Sequence, residues 1–216
     1  DQVDYPPWRS AVRSGMAGTL AAFGQHRRAE RMAREAVDIA RSTDDDLLIS
    51  DAYTTLGVVL DESGDAEGLL TAMMLAIEHA RRAGNGASLS ILLGNVAHYH
   101  LVRHDYAEAE RVSREALELA EREEDRRGVA LARANLGLAS IGLGRVDEGK
   151  ALVQQSIKFD EGRGQRNEVA LTYAELGEAL ERAGDLAGAV SALHAARRLQ
   201  DQIFREDQQR AVLALQ

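Results

Sequence analysis

Apolar residues recur along this chain with the period of a helix that buries one face. In Tyr53–Leu60 and again in Tyr173–Leu180 they stand at i, i+3 and i+7. The pattern itself repeats. Leu56-Gly57, Val96-Ala97, Leu136-Gly137 and Leu176-Gly177 lie 40 residues apart, and Met16-Ala17 fills the slot one period earlier. A second column, Gly24, Gly64, His104, Gly144 and Gly184, is glycine in four copies of five. A third, Ala36, Ala76, Ala116, Ser156 and Ala196, is small throughout. Three columns in register predict an array in which each copy is one supersecondary unit.

Each column has a physical reading. Glycine closes the first helix of a copy because it takes the left-handed conformation without a Cβ penalty. Asp65, Asp105 and Asp185 follow as N-caps of the second helix, with Glu108 completing a capping box after Asp105. Small residues at the Gly57 and Ala76 positions allow close helix approach. Breaker-rich or charged links at 42–46, 84–86, 123–127 and 161–165 separate the copies. The expected fold is all-α: an array over 1–200, with repeats at about 8–46, 47–86, 87–126, 127–166 and 167–200, then a helical extension over 201–216.

Tyr53-x2-Leu56-Gly57-x2-Leu60 followed by Leu69-x3-Met73 resembles the tetratricopeptide (TPR) pattern, as does Tyr173-x2-Leu176-Gly177-x2-Leu180 followed by Ala189-x3-Leu193. The period departs from the usual 34 residues, and the closing proline is missing, its place held by the Arg81-type positions. The resemblance implies a right-handed helical solenoid whose first helices line a concave groove. It further implies a non-catalytic protein- or peptide-binding region. Carried over by column, the groove takes Asn95, His98 and Leu101 from one copy, Asn135 and Leu138 from the next, and Glu175 and Glu178 from the last. Asparagines in this column of peptide-binding TPR proteins hydrogen-bond the ligand backbone; the competing role of Asn95 and Asn135 is to link adjacent helices. The implied ligand is apolar at its centre and basic at one end, because acids flank the groove. The basic clamp that captures chaperone C-termini is absent, its column reading Ser14, Thr54, Gly94, Ala134 and Ala174.

No Gly or Pro interrupts Ala189–Gln216, which predicts one helix of about 30 residues. Ala196, Leu199, Ile203, Glu206, Arg210 and Leu213 form a weak heptad seam, with Phe204 beside it. The segment resembles the helix joining TPR sensor regions of bacterial signalling proteins to diguanylate cyclase (GGDEF-type) or histidine kinase output domains; such a domain would lie outside this sequence. Two covers fit the seam: a second copy, giving a homodimer through the C-terminal helix, or the array's own last repeat, as in a stand-alone assembly scaffold.

Composition narrows the chemistry. A net charge of -9 disfavours a nucleic-acid backbone as partner. The absence of cysteine removes disulfides, thiolate metal sites and cysteine nucleophiles, and fits cytosol and periplasm alike. No apolar run is long enough for a transmembrane span. Gly144-Arg-Val-Asp-Glu-Gly149-Lys150-Ala151 approaches a P-loop but lacks the final Ser or Thr and a preceding strand, and carries two acids that repel phosphate. His98, His100 and His104 suggest a metal cluster, yet only His100 and His104 share a helix face. Neither cofactor nor metal is expected, and no catalytic residues are assigned.

Overall fold

The computed structural model describes residues 5–214, those from 211 onward by backbone alone. Of the heptad seam, the side chain of Leu213, like that of neighbouring Val212, therefore lies outside what is described. Among the described residues the chain forms ten helices and no strand. They are α1 (Pro6–Ala22), α2 (His26–Arg41), α3 (Asp46–Glu62), α4 (Ala66–Arg82), α5 (Gly86–Val102), α6 (Tyr106–Arg122), α7 (Arg126–Gly142), α8 (Val146–Gly162), α9 (Arg166–Arg182) and α10 (Leu186–Ala214). The expected extension is the second half of α10, continuous with the last repeat.

The structure resolves the 40-residue repeat into two halves of 20. Left-handed residues occur at Gly24, Asp44, Gly64, Gly84, His104, Glu124, Gly144, Gly164 and Gly184, each 20 after the last. At most of them the next N–H donates to the carbonyl five residues back, as in Asp65 to Leu60, Asp105 to His100 and Gln165 to Asp160, all at 2.9 Å. That is the Schellman closure, which satisfies carbonyls the helix end leaves bare. His104 keeps the turn of its column with φ +61°. Position 204 continues the series but holds Phe204, and α10 runs straight through it.

Caps follow locally. The carboxylates of Asp45, Asp65, Asp125 and Asp185 accept backbone N–H groups at the starts of α3, α4, α7 and α10. The capping box at Asp105 does not form. His100 Nδ1 lies 3.2 Å from Asp105 Oδ2 and Arg111 holds Glu108, so both carboxylates are taken by cations or a ring nitrogen instead of backbone donors.

Packing divides the chain into two compact units, one ending at Val96 and the other starting at Ala97. In the first, Ala17, Ala21, Ala29, Ala33, Ala36 and Ala40 bring α1 and α2 together, while Ile49, Leu56, Val59 and Leu60 of α3 complete the core. Ser10 Oγ donates to the Ala36 carbonyl at 2.9 Å and Ser50 Oγ to the Ala76 carbonyl at 3.0 Å, a buried polar link repeated at the same column. In the second, Leu138, Ile141, Val153, Ile157, Val169, Leu176 and Leu180 form the centre. Each such side chain contributes about 1.5–3 kcal/mol relative to exposure. Gly57 and Gly177 sit where a Cβ would strike Met73 and Leu193, respectively. The small column from Ala36 to Ala196 is buried in every copy.

The heptad seam of α10 turns partly inward. Leu199 packs against the core of its own unit, and Ile203 is half-buried. Arg166 of α9 reaches Gln202 at 3.2 Å and Glu206 at 2.7 Å, and its guanidinium holds the Glu206 carboxyl below the usual range. Phe204, on the other side of the helix, is exposed.

Candidate functional site

Within the second unit, three successive first helices converge on one pocket of about 160 Å³. From α5 come His98, Leu101 and Val102; from the following turn, His104; from α6, Tyr106; from α7, Leu138; from α9, Glu175, Glu178, Ala179 and Arg182. The spacing 175, 178, 182 puts the three charged residues of α9 on one helix face. Glu178 and Arg182 approach to 3.7 Å across one turn.

Glu175 is the electrostatic centre. Burial lifts its carboxyl above the ordinary glutamate range, the His98 ring opposes that rise, and neighbouring Glu178 adds to it. His98 Nδ1 stands 3.9 Å from Glu175 Oε1, beyond a direct hydrogen bond. Leu101, Leu138 and Ala179 supply apolar wall beside these acids. Tyr106 is set by a glycine: a Cβ on Gly142 would collide with its ring, so the ring lies against the bare backbone of α7. Its hydroxyl lies 3.0 Å from His104 Nδ1.

Five of the residues assigned to a groove from sequence, His98, Leu101, Leu138, Glu175 and Glu178, are thus brought together. Asn135 is not: it is only 3% exposed and engaged within the protein. Its helix α7 packs against α6, α8 and also α9. Asn95 is exposed and belongs to the first unit. Tyr106 and His104 escaped the column reading because they stand at the turn and on a second helix. Among the described residues no three His, Asp or Glu side chains gather as metal ligands. No helix of these residues is long and apolar enough to cross a membrane.

Two open grooves line the helix edges at equivalent columns, 80 residues apart. One, of about 690 Å³, includes Asp46, Tyr53, His79 and Arg82, with His79 Nδ1 2.6 Å from Asp46 Oδ1. The other, of about 490 Å³, includes Glu121, Arg133 and Phe159, with Arg133 at 3.2 Å from Glu121. Arg82 pairs with Glu78 in the first and Arg133 with Glu121 in the second, so each groove already holds an ion pair.

No protein-family model matches the sequence, and no curated protein matches it significantly. Solved structures do match. BtubC (BKLC) of P. vanneervenii is 23% identical with TM-score 0.71, over 88% of this chain and 79% of that one. A Signal Transduction ATPase with Numerous Domains (STAND) with a tetratricopeptide repeat sensor, from Pyrococcus horikoshii, is 15% identical with TM-score 0.73, over 99% of this chain and 37% of that one. A Rap protein complexed with Competence and Sporulation Factor is 15% identical with TM-score 0.63, over 94% and 66%. At such identities the likeness is one of fold. This chain has the fold of a TPR-type helical repeat, all-α throughout the described residues.

Proposed function

We propose that this chain is a non-catalytic protein- or peptide-binding region, the regulatory part of a bacterial signalling protein, and that it recognises its ligand in the pocket of α5, α7 and α9. The observation that carries the reading is the juxtaposition of Glu175 and Glu178 with the apolar walls of Leu101, Leu138 and Ala179. An aliphatic stem ending in a cation suits such a site, since the stem covers apolar wall while the charge meets the carboxylates. A lysine or arginine of an extended partner carries both. Complementary charge of this kind favours specificity as well as encounter. The Rap protein complexed with Competence and Sporulation Factor, and the sensor of the STAND protein, lend support by analogy of fold.

The test is peptide selection from a random library displayed on phage, using the 216-residue chain. Enriched peptides carry a basic residue flanked by aliphatic ones, and bind the Glu175→Gln, Glu178→Gln double variant at least tenfold more weakly. Peptides without basic residues, or equal binding to the variant, would remove the pocket from recognition. The second reading, a stand-alone assembly scaffold, is favoured by the inward packing of Leu199 and by the Arg166–Glu206 pair, which make the end of α10 a cover for its own repeat. A C-terminal-helix homodimer then has exposed Phe204, beside the seam, to offer, while Leu199 and Ile203 of the seam are partly buried.

A further inference from the structure

The two acids of the pocket face cations of different kinds. Glu178 has Arg182 one turn along α9 at 3.7 Å, a guanidinium that stays charged at every physiological pH. Glu175 has instead the His98 imidazole of α5, with Nδ1 at 3.9 Å from Oε1. His104 from the turn and the Tyr106 hydroxyl of α6 also face the pocket, and they lie 3.0 Å from each other. To this lining α7 adds only Leu138. Glu175 thus meets a partner whose charge can be removed, and Glu178 one whose charge cannot.

Glu175 is largely buried, so a cation beside it is less screened than one at an open surface. His98 is half-exposed, and a movement of about 1 Å closes its gap to the length of a charge-assisted hydrogen bond. Histidine is the side chain whose charge changes between about pH 5 and 8. A neutral ring leaves the carboxylate to an incoming cation. A charged ring takes the carboxylate for itself and repels the newcomer. Burial also lifts the Glu175 carboxyl above the ordinary glutamate range, so acid begins to discharge it early. The two effects have one sign. A bound cation favours the ionised acid and the neutral ring, so binding expels protons and affinity rises with pH.

We propose that His98 gates this pocket: when charged it occupies Glu175 in place of the ligand's cation, so a basic ligand is held at neutral pH and above and released on acidification. The inference rests on the reading that the pocket takes a basic side chain, and adds the condition under which that side chain leaves.

The probe is the capped tripeptide acetyl-Leu-Lys-Leu-amide, whose lysine stays charged throughout the interval. Its counterpart has the lysine acetylated and carries no charge. Both are titrated into the 216-residue chain at about pH 8 and about pH 5.5, followed by two-dimensional NMR, which also reports whether each variant is folded. At the higher pH the wild type prefers the lysine probe to its counterpart. At the lower it binds that probe about tenfold more weakly or worse. His98→Gln, which cannot gain a charge, matches wild type at the higher pH and loses distinctly less on acidification. His98→Lys, charged throughout, binds weakly at both. His104→Gln, altering the other histidine of the pocket, keeps the wild-type response.

Equal wild-type affinity at the two pH values would overturn the gate and leave the basic-ligand reading in place. So would a full acid loss in His98→Gln, a response abolished by His104→Gln, or wild-type binding by His98→Lys at the higher pH. No preference for the lysine probe over its acetylated counterpart at the higher pH would overturn the gate and the ligand reading together.

Discussion

Gly137 and Gly149 bring α7 and α8 into backbone contact: a Cβ on Gly137 would lie 2.6 Å from the Gly149 carbonyl oxygen. The same Cβ would lie 2.7 Å from Val153 Cγ2, and one on Gly149 would lie 2.5 Å from Ile141 Cγ1. The glycine-lysine run that approaches a P-loop is thus a packing feature inside α8. Its lysine, Lys150, bonds Asp185 at 2.9 Å.

Because that neighbour is backbone, it cannot step aside as a side-chain end does. Gly137→Ala should cost about 1–3 kcal/mol, the usual range for overpacking, read as a lower urea midpoint with unchanged slope. Gly15 is the control, a helical glycine where an added methyl would meet nothing within 4 Å. Gly15→Ala should raise stability by about 0.5–1 kcal/mol through backbone entropy and helix propensity. Equal effects at the two sites would break the assigned packing.

The repeats were legible because glycine and alanine columns report close helix contacts directly. The 20-residue half-period was harder to see, since Asp44 and Glu124 hold left-handed turns that sequence patterns reserve for glycine. Likewise the columns pointed to His98, Leu138 and Glu178, which depend on position within a first helix. Tyr106 depends on space left by Gly142 on a different helix, a relation no single-copy pattern contains. Asn95 and Asn135 share a column yet differ in burial, the first exposed on α5 and the second buried in α7.

That difference separates the two asparagines in stability. Asn135→Ala removes a buried amide that is engaged within the protein, which should cost about 1–3 kcal/mol. Asn95→Ala, on the surface of α5, should change stability by less than about 0.5 kcal/mol. Thermal melts of both variants, side by side, decide it; a larger loss for Asn95→Ala would contradict the burial of α7.

Glu175 makes the fold sensitive to pH in a defined direction. Its carboxyl is raised chiefly by burial, so the folded state favours the protonated acid. Its contribution is fully present below the ordinary glutamate range and is lost as pH rises through the raised value. Glu175→Gln should therefore melt above wild type at about pH 8, and the gap should shrink on acidification toward about pH 4. The opposing influence of His98 keeps the gap smaller than burial alone would give. A gap that widens on acidification would reverse the assignment.

The regular interval of left-handed turns, from Gly24 to Gly184, makes the length of this chain an editable quantity. Excising 40 residues rejoins like with like, so every later helix keeps its place in the alternation of first and second helices. Excising 20 preserves the turns but swaps the parity of the helices, so residues suited to lining a cleft take over positions that face the core. Losing one residue inside a helix rotates everything downstream on that helix by about 100°. Growth or shrinkage of such a chain is therefore tolerated in whole pairs, and Phe204 marks where that counting stops.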